Sequence, residues 1–426
     1  MSFALGVVPV VLLLLGFPIF IVLLAAVSVA LVFFMHVPLA ALHQNLFGAI
    51  DAFALLAVPF FIYAGELMSR GSVAQRIVDF VQAGVGRVPG SLGVTCVGTS
   101  AIFGAISGAS AATVATVGKA MLPPMRKAGY PETFSAGLIT SVGAIDIIIP
   151  PSIPMIVYGT AAQESVPRLY AAGVLPGLLI AAMIAVYVVW YAKRHNFEHG
   201  HRFSLQQFGK AFVRGIWALG APFIILGGIY GGVFSPTEAA AVACVYAVLV
   251  TWLVFRELGW RDVLEAASTT ALFTGQVLII VACASVFAWL LTVNQVPAAM
   301  VAWIQSLNVS PWELLLAINL LLLLVGCFLD PLSAILLLTP LLIPLVKAVG
   351  IDTVHFGIVF TVNLAIGLFH PPFGINIFVA QSALKLKLDV IYRGIIPFIV
   401  LYLVALLLIT YVPWISLVGV RLFLGH

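Results

Sequence analysis

Residues 147–159 read IIIPPSIPMIVYG, and residues 367–379 read GLFHPPFGINIFV. Proline has no backbone N–H and clashes with the preceding helical turn, so two in succession interrupt a helix and leave carbonyls one turn back without partners. Both stretches are strongly apolar, which predicts helices that break at Pro150-Pro151 and at Pro371-Pro372 and then resume. The two breaks lie 221 residues apart, and the same offset lays Gly129 on Gly350, Gly173 on Gly394 and Pro176 on Pro397. Shifted by one residue, Leu122 and Pro124 fall on Leu342 and Pro344, and Ser110 to Thr113 falls on Asp330 to Ser333. An offset of 223 brings Leu67 and Val73 onto Leu290 and Val296. Landmarks shared at nearly constant spacing mark an internal repeat.

The surroundings of these breaks set the environment. The 426 residues are 63% hydrophobic and 8% charged with a mean hydropathy of +1.20, whereas a soluble domain carries about 25% charged residues. Runs long enough to cross about 30 Å of hydrocarbon recur throughout, among them Phe3 to Phe33, Leu169 to Tyr191, Ala239 to Phe255 and Ile395 to Val412. Inside a bilayer such runs must be helices, because no water is there to satisfy their backbone groups. The fold class expected is therefore an all-α polytopic membrane protein. The first run lacks a basic n-region and is too long for a signal peptide, so it is expected to remain in the mature protein. A net charge of +4 with no basic stripe does not suggest nucleic acid. Cys96, Cys244, Cys283 and Cys327 show neither disulfide nor zinc spacing.

Two repeats are expected, 1–192 and 215–426, joined by a polar linker at 193–214. Each comprises helices, a short amphipathic connector (Ser69 to Val88; Val296 to Val309), a hydrophobic pair interrupted in its middle (about 90–125; about 311–345), a broken helix (about 135–160; about 355–381) and a closing helix (168–192; 394–413). In the first pair, Leu92 to Ala105 and Val114 to Leu122 are each too short to span, and small polar residues separate them, so a re-entrant hairpin is expected. An odd number of crossings per repeat would invert the second relative to the first. With the linker in the cytoplasm, fifteen Lys and Arg lie inside (70, 76, 87, 126, 127, 193, 194, 202, 210, 214, 256, 261, 385, 387, 393) against Arg168, Lys347 and Arg421 outside, with Lys119 in the membrane region. That asymmetry supports inverted repeats.

Inverted repeats with interrupted helices are how secondary transporters hold ions and substrate near the midplane. Freed carbonyls and hydroxyls are hard oxygen ligands, and helix N-termini favour an anion. Two clusters qualify. The first joins the tip in ISGASAATVATVG (Ile106 to Gly118) to the break at Pro150; the second joins CFLDPLSAILLLTPLLIPL (Cys327 to Leu345) to the break at Pro371. Ser110, Thr113, Ser152, Ser333 and Asn376 are the candidate substrate contacts. A bland alternative is that these small residues only let helices pack closely, but four interruptions at repeat-equivalent places favour a site. Glu238, just after Ser235-Pro236, reads as a helix cap, and Glu66 as an interfacial group. Asp330 reads equally as a cap or as part of an ion site. Asp146, His370 and Lys119 are ionisable groups in or beside apolar segments, where charge is costly and defaults to function; Asp146 and His370 are candidate coupling residues or hydrogen-bonded core groups.

At these motifs the chain resembles the large membrane subunit of tripartite ATP-independent periplasmic (TRAP) transporters, a branch of the ion transporter superfamily. The likeness runs over essentially the whole chain, through AVPFFIYAGELM (57–68), FGAISGASAATVATVG, the IPPS segment, RLYAAGVLPGLL (168–179), SPTEAAAV and PPFGINIFV. It implies an elevator-type importer of an organic acid in the bacterial inner membrane, driven by Na⁺. It also implies a small four-helix membrane subunit and a periplasmic substrate-binding protein as partners. Carried over by motif, Ser107, Gly108 and Ser110 with Gly143 and Pro150 would frame one Na⁺ site, and Gly367, Pro371 and Pro372 with the second tip, including Asp330 and His370, another. Two positions depart from the pattern: His370 stands where the family usually has Thr, and Asp146 where it has a small or apolar residue. These leave a proton as a second candidate coupling ion, since His titrates near neutrality.

The rival readings are a stand-alone ion-coupled carrier of the same superfamily, a channel, a membrane-embedded enzyme and an ATP-driven permease. No nucleophile–base set, phosphate loop, pore ring or convincing docking surface is visible in the sequence to support the last three, and no catalytic residue is assigned. The topology has a direct test. Single cysteines introduced as Ser204→Cys and Val349→Cys should react with an impermeant thiol reagent from opposite sides of the membrane; labelling of both from one side would overturn the inverted arrangement.

Overall fold

The structure, a computed structural model, describes residues 6–35, 39–197 and 203–425. The start of the first apolar run, part of the linker and Arg202 of the cytoplasmic charge set lie outside the described residues. All regular structure among the described residues is helical. In the first half these are α1 (Val8–Leu14), α2 (Ile19–Phe34), α3 (Leu39–Ile50), α4 (Ala57–Arg70), α5 (Val73–Val85), α6 (Ser91–Ser107), α7 (Ser110–Lys127), α8 (Glu132–Val142), α9 (Ile153–Ala162) and α10 (Val166–Arg194). In the second half they are α11 (Leu205–Tyr230), α12 (Pro236–Val248), α13 (Trp260–Val293), α14 (Val296–Ser306), α15 (Pro311–Gly326), α16 (Pro331–Ala348), α17 (Thr353–Gly367), α18 (Ile375–Leu384), α19 (Leu388–Tyr411) and α20 (Trp414–Leu424).

The helix starts follow local chemistry. Ser165, Ser204, Ser235 and Ser310 each accept a hydrogen bond from the amide three residues on, and Glu238 and Glu313 close capping boxes with Ser235 and Ser310. Among the described residues, seven helical segments are long and apolar enough to cross a membrane. Seven of the eight tryptophans and many Leu, Val and Phe side chains are exposed, an outer face suited to lipid rather than water. The interior is formed by the halves of the broken helices: every residue from Phe134 to Val142 and from Val354 to Gly367 is buried.

Two expectations change. The linker at 193–214 is shorter than its polarity suggested, because α10 runs to Arg194 and α11 starts at Leu205, carrying Lys210 and Arg214 on helix. The hairpin arms are longer than the apolar runs at 92–105 and 114–122: α6 and α7 continue to a two-residue turn at Gly108-Ala109, since Ser and Thr at their ends remain helical when buried. Lys119 is exposed on α7 at the level where Gly118 packs on Leu384, the last residue of α18.

The connector α5 lies along α11 and is fastened at its start. Ser72 donates through both its amide and its hydroxyl to Glu257, and Arg76 pairs with Glu257 at 3.2 Å and stacks 3.9 Å from the Phe255 ring centroid. Desolvation pushes the Glu257 carboxyl up, but its bonds to Ser72 and Arg76 outweigh this and hold it below the ordinary carboxylate value. Nearby, Glu66 pairs with Arg70, which also reaches Glu265, in agreement with an interfacial place for Glu66.

Packing elsewhere depends on glycine. α8 and α19 cross with Gly137 and Gly394 backbone to backbone, so a Cβ on Gly137 would run into the Gly394 carbonyl. α15 meets α17 in the same way at Gly326 and Gly367, and α20 meets α10 at Gly419 and Ala171. Close approach of backbones is the main packing device available where lipid is as apolar as leucine. Gly137→Ala should therefore lower the melting temperature of the solubilised protein, with a cost of at least about 1–3 kcal/mol. Gly275→Ala, at a position in α13 with nothing within 4 Å of the added carbon, should be neutral or stabilising by roughly 0.5–1 kcal/mol. Equal effects of the two would contradict the packing.

Candidate functional site

Each hairpin tip sits beside a helix break. At the first, α6 ends on Gly108, which adopts φ +58° and places its Cα hydrogens toward Pro151 and Ile153. The positive φ is available to glycine at little cost, and an added Cβ would lie 3.2 Å from the Pro151 carbonyl. Behind the tip, Gly65 of α4 lets Ser107 approach so closely that a Cβ there would be 2.8 Å from the Ser107 carbonyl. The Ser107 hydroxyl turns back on Ala109, accepting from its amide at 3.3 Å.

The break itself, from Gly143 to Ser152, is wholly buried, with a 3₁₀ turn over Gly143–Ile147. Its freed carbonyls find partners from elsewhere. The Ser152 hydroxyl donates to Ile147 O at 2.6 Å, Tyr402 donates to Ser141 O at 2.9 Å, and the Asn376 amide donates to Thr140 O at 3.2 Å. Asn376 also joins Ser110, with Nδ2 2.9 Å from the hydroxyl and Oδ1 accepting from it at 3.0 Å. The first hairpin is thus tied to the second broken helix. Asp146 is fully buried; its Oδ2 accepts from Thr113 Oγ1 at 2.5 Å, while Oδ1 has no hydrogen-bond partner among the described residues. The structure encloses Asp146 between α6, α7 and the 3₁₀ turn.

The second site is more open. A cavity of about 260 Å³ is lined by Gly326, Cys327, Asp330, Gly367, Phe373 and Ile375, among others. Asp330 caps α16, its Oδ2 accepting from the amides of Leu332 and Ser333 at 3.1 Å and its Oδ1 from the Ser333 hydroxyl. The cap is what the structure shows, and the same residue lines the cavity. His370 Nδ1 lies 3.2 Å from Cys327 Sγ and close to its neighbour Pro371 O. Tyr392 donates to Pro372 O at 3.1 Å. Both Pro-Pro bonds are cis.

The five candidate substrate contacts do not form one lining. Ser110 and Asn376 bond each other, Thr113 serves Asp146, Ser152 caps α9, and Ser333 serves Asp330. Sequence reasoning missed a polar chain inside the bundle: Asn363 donates to Asn319 Oδ1 at 2.8 Å, Asn319 to Thr410 at 3.0 Å, and Asn363 Oδ1 is buried without a partner. An asparagine in an uninterrupted apolar helix was the signal available. It also missed His355, buried between Ser416 and the Thr410 carbonyl. No three His, Cys, Asp or Glu gather to hold a metal ion among the described residues; the tips offer hydroxyl and carbonyl oxygens with one carboxylate each, donors suited to a hard cation, and the second adds Cys327 and His370.

The profile of the family described as "Tripartite ATP-independent periplasmic transporter, DctM component" matches residues 7–415. An isethionate TRAP transporter permease protein, DctMQ, of Oleidesulfovibrio alaskensis is 40% identical over 93% of this chain, which spans 63% of that protein's length. The C4-dicarboxylate TRAP transporter large permease protein DctM of Pseudomonas aeruginosa is 39% identical over 88% of this chain and 87% of its own. The ectoine TRAP transporter large permease protein TeaC of Halomonas elongata is 41% identical over 95% and 96%. The crystal structure of the YdaH transporter of Alcanivorax borkumensis aligns with a TM-score of 0.66 over 98% of this chain and 99% of that one at 14% identity, a likeness of fold.

The Ser110–Asn376 bond is the contact on which the site's assembly turns. In a double-mutant cycle, Ser110→Ala and Asn376→Ala should couple by roughly 0.6 kcal/mol, and by at most about 1.7, as buried bonds between membrane helices do. Strict additivity of the melting shifts would show that the two side chains do not bond.

Proposed function

This chain belongs to the DctM-component family of TRAP transporters, a multi-pass inner-membrane permease rather than an enzyme, and from that premise we propose that it imports a small organic acid by a Na⁺-driven elevator movement. Relatives are named for isethionate, C4-dicarboxylate, 2,3-diketo-L-gulonate and ectoine, which supports a small acid as cargo. The partners proposed are a small membrane subunit and a periplasmic binding protein that delivers the acid. The two halves act as inverted repeats, so that the hairpins reach the midplane from opposite faces.

The observation that carries this reading is the pair of tips beside two helix breaks, each with a buried oxygen left unpaired nearby: Asp146 Oδ1 at the first and Asn363 Oδ1 one turn before Gly367 at the second. Hard oxygens in that state fit Na⁺. At the first tip Ser107, Gly108 and Ser110 with Gly143 and Pro150 would hold it; at the second, Asp330, Gly367, Pro371 and Pro372 with His370. Bound there, Na⁺ would supply positive charge that ties the tips to an ion gradient. The chain's own residues do the rest. The helix N-terminus at Ser110 presents amides to an acid, whereas at Pro331 Asp330 already takes those of Leu332 and Ser333; the Ser110–Asn376 bond makes hairpin and broken helix move as one block. The face on which that block would slide is lined by small side chains, with Gly48, Ala49, Ala52, Ala161, Ala284 and Ala288 around a cavity of about 340 Å³.

Uptake by the reconstituted three-part complex in proteoliposomes tests this. Ser110→Ala should raise the Na⁺ concentration for half-maximal uptake roughly fivefold, the equivalent of about 1 kcal/mol. Gly108→Val should abolish uptake while the protein stays in the membrane. Uptake indifferent to Na⁺ in wild type would overturn the coupling, and uptake by the chain alone would favour a stand-alone carrier.

A further inference from the structure

We infer that Asp146 is the fixed counter-charge of the first cation site, so that this site takes a monovalent alkali cation and is electrically neutral only when loaded. The inference rests on the reading of the first tip as a cation site and adds to it a residue and a charge state.

The carboxylate is 0% exposed, and one of its oxygens is unpaired. Among the described residues there are four ion pairs, at Arg70–Glu66, Arg70–Glu265, Arg76–Glu257 and Arg126–Glu132, and none reaches Asp146. Its side-chain donor is the neutral hydroxyl of Thr113, and the backbone amides of Gly108 and Ala109 also face it, so every group that reaches it is neutral. Helix ends offer no net relief. Asp146 lies against Gly104 in the last turn of α6 and is bonded to Thr113 in the first turn of α7, and partial charges of opposite sign at a C-terminus and an N-terminus largely cancel. A buried ionised carboxylate left in that state costs several kcal/mol, and a bound cation removes the cost.

The space was made for it. A Cβ on Gly104 would lie 2.8 Å from Asp146 Oδ1, so the acid is accommodated because residue 104 has no side chain. The charge count also limits the occupant. One carboxylate among hydroxyls and carbonyls neutralises a single positive charge, and a divalent ion would leave an excess charge in the bundle interior. The second tip differs, since Asp330 already spends both oxygens on Leu332 and Ser333.

The purified protein can be melted in NaCl and in choline chloride at equal ionic strength. Wild type should be stabilised by Na⁺ in a saturable way. In Asp146→Asn the Na⁺ concentration giving half the stabilisation should rise at least tenfold, while the melting temperature in choline should be no lower than that of wild type, because an uncompensated charge has been removed. A purely structural aspartate would instead give a lower choline baseline and an unchanged Na⁺ midpoint, and that pair of results overturns the proposal. Thr113→Val removes the carboxylate's one side-chain donor and should enlarge the Na⁺-induced shift. If Asp146→Asn does not fold, a shift in Thr113→Val no larger than wild type overturns the proposal by itself. Should wild-type uptake prove Na⁺-independent, the cation reading of the tip falls; an unchanged midpoint in Asp146→Asn with Na⁺-dependent uptake removes the counter-charge alone.

Discussion

A peptide group without a hydrogen bond costs several kcal/mol in hydrocarbon, and this membrane protein breaks two of its helices at Pro150-Pro151 and Pro371-Pro372. The freed carbonyls at 140–147 are reached by Asn376, Tyr402 and Ser152, and the one at Pro372 by Tyr392. Two of these four donors, Asn376 and Tyr402, come from the opposite half of the chain. The first break is sealed within the bundle, whereas Pro372 and Phe373 at the second are exposed. The rest of the architecture follows from surrounding these two interruptions with protein.

Surrounding them requires helices to approach more closely than ordinary side chains allow. That is the physical role of Gly137 against Gly394, of Gly326 against Gly367 and of Gly65 against Ser107. Each contact places backbone on backbone, so dispersion and dipole interactions replace the hydrophobic drive that lipid does not supply. The same closeness brings a hairpin tip within hydrogen-bond reach of the broken helix from the opposite half, through Ser110 and Asn376.

Charge is placed by the same economy. Glu66, Glu238, Glu257 and Glu313 lie at helix ends or connectors, where caps and arginines satisfy them. Asp330 is a cap that also borders a cavity. Asp146 alone among these acids is fully enclosed with an oxygen left over, which is why it attracts a role beyond packing.

Composition and run length by themselves determined that the chain is an all-helical membrane protein, because no other structure satisfies a backbone in lipid. The prolines and Gly108 located the breaks and the first tip, since their effect on the backbone is local. The caps at Ser235-Pro236 and Asp330-Pro331 were legible for the same reason. Tertiary structure decided everything that depends on which distant groups meet. Ser110 and Asn376 are 266 residues apart, and no local pattern says that one bonds the other rather than a substrate. Asp146 read equally as a coupling residue or a hydrogen-bonded core group, because its surroundings are set by Gly104 and Thr113 on two other segments. Asn363 looked like one polar residue in an apolar helix, and only the packing of α15 and α19 against α17 shows its amide bonded and its oxygen left unpaired.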